Sequence, residues 1–147
     1  MEPHATALAE AVEVALPGWV ERSVRRIMAA WSGEAPAAHV MDAARDAGGR
    51  AAAEVGADLR ALLEADIDEQ WTTPLSLLRA AVRYPTEILA GAGVPPVERD
   101  SFQERLAPGD LYDLSPASFA DVDPALAEPG MVWGAAKALA HRRRHQP

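Results

Sequence analysis

An all-α single domain is the fold class this sequence predicts, and three observations carry it. Alanine, the strongest helix former, supplies 32 of the 147 residues. Apolar residues recur at three- and four-residue steps along most of the chain. No segment alternates apolar and polar residues convincingly, as a half-buried strand would. The length suits one domain, burying roughly 70% of its unfolded surface. The expected architecture is a helical bundle spanning 1–147. Long N-terminal helices carry several short, proline-initiated helices across them, and 137–147 form a basic, partly frayed tail.

Taken in order, residues 5–16 read as a first helix, with Leu8, Val12, Ala15 and Leu16 on one face. Pro17-Gly18 is expected to end it, since proline removes a ladder hydrogen bond. A second helix is expected from Trp19 to Trp31, burying Val20, Val24, Ile27 and Trp31 and turning Arg22, Arg25 and Arg26 outward. After a loop at 32–36, the longest helix is expected over 37–69. Its stripe is Met41, Ala44, Gly48, Ala51 and Val55, continued by Leu59, Leu62, Leu63 and Ile67. The first half of this helix is nearly bare of large side chains, which suits a close intramolecular crossing; the seam of a homodimer is the competing account. The paired glycines Gly48-Gly49 also admit a break in the helix.

The run from Trp71 to Pro96 is the densest in boundary signals, and the rest of the chain is expected to pack around it. Thr73-Pro74 starts a helix, because the threonine oxygen can accept from a first-turn N–H and proline at the first position loses no needed donor. Leu75, Leu78, Ala81 and Val82 form its inward stripe. Pro85 is expected to stop or kink it near Tyr84. A second short helix with Ile88 and Leu89 inward should then close at Gly91-Ala92-Gly93. Beyond it, Asp100-Ser101 starts a short helix and Ala107-Pro108-Gly109 ends it. Phe102, Leu106, Leu111, Tyr112 and Leu114 are expected to lie back over the helical body. Ser115-Pro116, Asp123-Pro124 and Glu128-Pro129 each signal a further turn of helix, with Phe119 inward. The last helix, 129–143, is expected to bury Val132, Trp133, Ala136, Leu139 and Ala140.

Composition narrows the function. A formal charge of −8 disfavours broad non-specific binding to nucleic acid. Without cysteine there is no disulfide framework and no thiolate nucleophile. The acidic N-terminus does not resemble a secretory signal, and no apolar run approaches the roughly 20 residues that span a bilayer. A cytoplasmic location is therefore expected, with no membrane contact. Thirteen arginines against the single Lys137, with so much alanine, point to a GC-rich bacterial genome.

No HExxH, GxSxG, phosphate loop, GxGxxG or Glu-x-x-His pair is present. Neither a cofactor nor a metal is expected. His141 and His145 have a helical ligand spacing, but three arginines lie between them. The carboxylates at 64, 66, 68 and 69 lack the glycine and spaced oxygens of a calcium loop, and a rim facing Arg79 or Arg83 is the simpler account. His4 and His39 stand alone.

The candidate interaction residues are Trp71, Arg79, Arg83, Tyr84 and Glu87 beside the organising stretch, and Arg142, Arg143 and Arg144 in the tail. Each has a structural account as well. Arg83 and Glu87 can brace the bend at Pro85 while the Tyr84 hydroxyl meets a backbone group, and the tail arginines complement a helix C-terminal dipole. Trp19, Trp31, Trp71 and Trp133 all lie near expected helix ends, and any left exposed would be a contact point. The expected function is a non-enzymatic protein-interaction module, self-association included. One alternative is a nucleic-acid-associated regulator using the arginine tail, binding weakly through a few phosphates. A second is a small-ligand binder or enzyme with a pocket beneath 71–114.

Overall fold

The computed structural model describes residues 2–65 and 73–144. Among them are seven α-helices and one 3-10 turn, with no strand. They are α1 (Pro3–Ser32), α2 (Ala38–Glu64), α3 (Pro74–Ala80), α4 (Arg83–Gly91), α5 (Ser101–Leu106), α6 (Phe119–Val122), the 3-10 turn Pro124–Leu126, and α7 (Ala127–Arg144). The all-α expectation is met. Trp71, Asp66, Ile67, Asp68, Glu69 and His145, which figured in the sequence reading, lie outside the described residues.

The first two expected helices are one. Helix α1 runs through Pro17 without a break. Its buried residues Leu8, Val12, Leu16, Trp19, Val20, Ser23, Val24 and Met28 keep helical phase across the proline. Continuous burial of that stripe outweighs the lost hydrogen bond and the ring clash of an interior proline, about 3 kcal/mol together. Trp31, expected in the stripe, is 50% exposed. Gly33, at φ 74°, ends the helix in the left-handed conformation, its N–H donating to the Ala29 carbonyl.

Helix α2 returns antiparallel to α1 and is unbroken at Gly48-Gly49. The smooth stretch is the intramolecular crossing. Ala44, Ala47, Gly48, Ala51, Val55 and Gly56 are all buried. A β-carbon on Gly48 would stand 2.9 Å from the Pro17 α-carbon and 3.1 Å from its carbonyl oxygen. One on Gly56 would stand 2.7 Å from Glu13 Cγ. The two contacts pair 48 with 17 and 56 with 13, the order an antiparallel hairpin requires. Glu13 then reaches over to Arg60, whose Nη2 donates to its carboxylate at 2.5 Å.

Helix α4 lies across both long helices, α3 rests on α2, and α7 packs on α1. Thr73 caps α3 as expected, accepting from the Ser76 N–H at 3.3 Å. The break before Pro85 falls earlier than expected, at Ala81–Val82, and Pro85 sits in the first turn of α4. The reason is steric. A proline ring collides with the carbonyl four residues back, here that of Ala81, which turns instead to the Tyr84 N–H at 3.1 Å.

The C-terminal third departs further from expectation. Tyr112 and Leu114 enter the core, but Phe102, Leu106 and Leu111 stay exposed. Ser115-Pro116 starts no helix; Ser118 precedes α6 instead, where the Asp121 carboxylate accepts from the Ala117 and Ser118 N–H groups. Asp123-Pro124 starts its turn as expected, with Asp123 accepting from the Ala125 N–H. Helix α7 begins at Ala127, and Val132 and Leu139 on it are exposed rather than buried. Its inward face is the buried Gly130 with the half-buried Trp133, Ala136 and Ala140. A β-carbon on Gly130 would strike the Phe119 ring, so the ring and the helix start fix each other.

Candidate interaction surfaces

The polar cluster beside the organising stretch is a set of braces. Arg79 Nε donates to the Pro116 carbonyl at 3.1 Å and ties α3 to the segment before α6. The Tyr84 hydroxyl donates to Glu54 Oε2 at 2.5 Å, across to α2, and accepts from Arg83 Nη2 at 3.0 Å. The expected backbone partner for this hydroxyl is therefore a carboxylate. The Arg83 guanidinium carbon also stands 4.8 Å from the Tyr84 ring centroid, within cation–π range. Glu87 pairs with Arg50 on α2 at 3.4 Å, not with Arg83 across the bend. Apart from the Arg83–Tyr84 contacts within α4, each bond joins α3 or α4 to another element, so these groups hold the bent pair on the hairpin.

Burial raises the Tyr84 phenol above its ordinary value of 10.0, and the bond to the Glu54 carboxylate adds to the rise. Burial alone raises that of Tyr112, whose hydroxyl donates to the Val94 carbonyl at 2.7 Å. A folded-state pKa above the unfolded one stabilises fully below the unfolded value and loses that stabilisation as pH climbs through the folded value. Stability is thus expected to fall above about pH 10. Tyr84→Phe should flatten part of that fall, as read by urea midpoints across an alkaline pH series. An unchanged slope would remove Tyr84 from the account.

The basic groups are dispersed. Arg22 Nη2 donates to the Val122 carbonyl at 2.8 Å and lies 3.7 Å from the Asp123 carboxylate, holding the 3-10 turn against α1. Arg25 and Arg26 are exposed, as are Arg142 and Arg143; Arg144 ends the last helix.

The excursion 97–111 is the surface that sequence reasoning missed. Helix α5 has no buried residue; Phe102 is 60% exposed and Leu106, one turn on, is 69% exposed. Val97 and Leu111 at its base are exposed as well, with the Val97 N–H donating to the Leu111 carbonyl at 3.0 Å. Its backbone is nevertheless held firmly. Asp100 and Gln103 form a reciprocal capping box. Arg99, turned inward, donates to the Gln103 carbonyl at 2.7 Å and to the Ala107 carbonyl at 2.6 Å, and it pairs with Glu104. Glu104 also accepts from the Gly109 N–H at 3.1 Å. The base is pinned by Asp110, a buried carboxylate accepting from the Leu114 and Ser115 N–H groups at 2.8 Å each. The alternation of Phe102 and Leu106 at i, i+4 was visible in the sequence. What was not visible is that Arg99 and Asp110 satisfy the excursion from within and leave its apolar pair exposed.

Open grooves also mark the described surface. One of about 540 Å³ follows α1 past Ala7, Ala11, Val14 and Gly18 to Arg22 and Asp123. One of about 270 Å³ lies between α2 and α4 beside His39, Glu87 and Ile88. One of about 230 Å³ sits between Phe119 and Met131. Among the described residues no three histidine, aspartate or glutamate side chains gather as a metal would require, and no helix is long and apolar enough to cross a membrane. Comparison with known protein families, with curated proteins and with solved structures gave no match.

Proposed function

We propose that this chain is a non-enzymatic helical module that binds another protein through the 97–111 excursion. One observation carries the reading: Phe102 and Leu106 project into solvent from a backbone held by its own hydrogen bonds. Exposed aromatic and aliphatic side chains on a pre-ordered element lose little conformational entropy on docking, and such anchors dominate interface energies. The rim gives the partner its chemistry. Glu98, Asp100 and Asp113 are exposed in and beside the excursion, whereas Arg99 and Glu104 are paired with each other and Arg105 is its one exposed base. The fitting partner presents an apolar side chain flanked by basic groups.

The test is a photo-crosslinking amino acid placed at position 102 in cells, with a control at exposed Ala53 on α2. The expected result is a discrete adduct with a second protein from position 102, lost on Leu106→Ser and not formed from position 53. Phe102→Ser/Leu106→Ser should leave the unfolding free energy, read by urea denaturation, within about 0.5 kcal/mol of wild type, because neither side chain supports the core. The same adducts from both positions, or none from 102, would overturn the reading.

A further inference from the structure

Helix α7 carries a second apolar face that the monomer leaves uncovered. Gly130, Trp133, Ala136 and Ala140 turn inward. On the opposite side Met131 is 70% exposed, Val132 45% and Leu139 43%, with exposed Ala135 and Ala138 between them. At about 100° per residue these five share one stripe with Glu128 at its start and Arg142 at its end. The order along the stripe is self-complementary. Read forwards it runs acid, large apolar, small, large apolar, base. Turned end for end about Ala135, Glu128 meets Arg142, Met131 meets Leu139, Val132 meets Ala138, and Ala135 meets itself.

We infer that the occupant of this face is a second copy of the same chain, its α7 packed antiparallel about a two-fold axis at Ala135. The charges choose the direction. An antiparallel pair places the Glu128 of each copy beside the Arg142 of the other, whereas a parallel pair would set arginine against arginine. Among the described residues neither Glu128 nor Arg142 has an ion pair within its own chain. Alanine at the centre lets the two backbones approach closely, while Met131 and Leu139 fill the space on either side. A two-fold contact of this kind uses one patch twice and closes on itself. The stripe shares no residue with the 97–111 excursion, so the inference stands apart from the function proposed above.

Sedimentation equilibrium over a protein concentration series decides the matter, with circular dichroism as the check on folding. Wild type is expected to be a reversible dimer and Leu139→Glu a folded monomer. Glu128→Arg alone and Arg142→Glu alone should each weaken the dimer by about tenfold, since each reversal acts at two symmetric contacts. The double reversal Glu128→Arg/Arg142→Glu should restore it to within about twofold of wild type. A wild-type monomer at every concentration overturns the inference. So does a dimer indifferent to Leu139→Glu, and so does a double reversal no better than the single ones, which would exclude the antiparallel register.

Discussion

Replacing Gly48 with valine should destabilise the protein by about 3 kcal/mol, the upper end for overpacking, while replacing its neighbour Gly49 with alanine should stabilise it by up to about 1 kcal/mol. The two glycines differ only in what they face. A β-carbon at 48 meets the backbone of Pro17 at 2.9 and 3.1 Å, and backbone atoms in the middle of a helix cannot rotate away. Either the hairpin opens along its length or the valine takes a strained rotamer. At 49 nothing lies within 4 Å, so alanine there only removes the entropy that glycine loses in a helix. Urea denaturation of both variants gives the signs directly. A stabilised Gly48→Val would mean that α1 and α2 do not cross where the structure puts them.

Asp110→Ala should cost about 3 kcal/mol. The carboxylate is 1% exposed and accepts from two N–H groups, at Leu114 and Ser115. Hydrogen bonds to a charged group contribute about 1.5–3 kcal/mol each, and removing the acceptor strands two partly or fully buried donors. The damage should spread. The turn that Asp110 holds carries Tyr112 and Leu114 into the core, so hydrogen exchange should accelerate from Val94 to Leu114 before it does in α1 and α2. Asp110→Asn should recover only part of the loss, because an amide offers one oxygen where the carboxylate offers two. Uniform acceleration across all helices would show that the segment does not open as a unit.

Much of the fold is written locally. Alanine content and periodicity predicted an all-helical chain, Thr73-Pro74 placed the start of α3, and Asp100-Ser101 placed that of α5, because caps and proline act through bonds within a few residues. Pro17 shows where local reasoning fails. Its missing hydrogen bond costs a definite amount, but whether the helix continues depends on how much of the stripe from Leu8 to Met28 is buried, and α2 supplies that burial from a distant part of the chain. The named interaction residues fared in the same way. Arg79, Arg83, Tyr84 and Glu87 were recognised as a polar cluster, yet Pro116, Glu54 and Arg50, the partners of Arg79, Tyr84 and Glu87, lie 30 or more residues away.

The sequence by itself determined that this protein is helical and where α3, α5 and the 3-10 turn begin, since those features follow from propensity and from bonds that a residue makes with its near neighbours. Only the tertiary structure decided that Gly48 seats a proline, that Phe102 and Leu106 remain in water, and that α7 keeps an uncovered stripe. An apolar pattern states that a face can be buried. Whether it is buried depends on how many partners the rest of the chain has left to offer, and here Arg99, Asp110 and the small residues of α7 used theirs elsewhere.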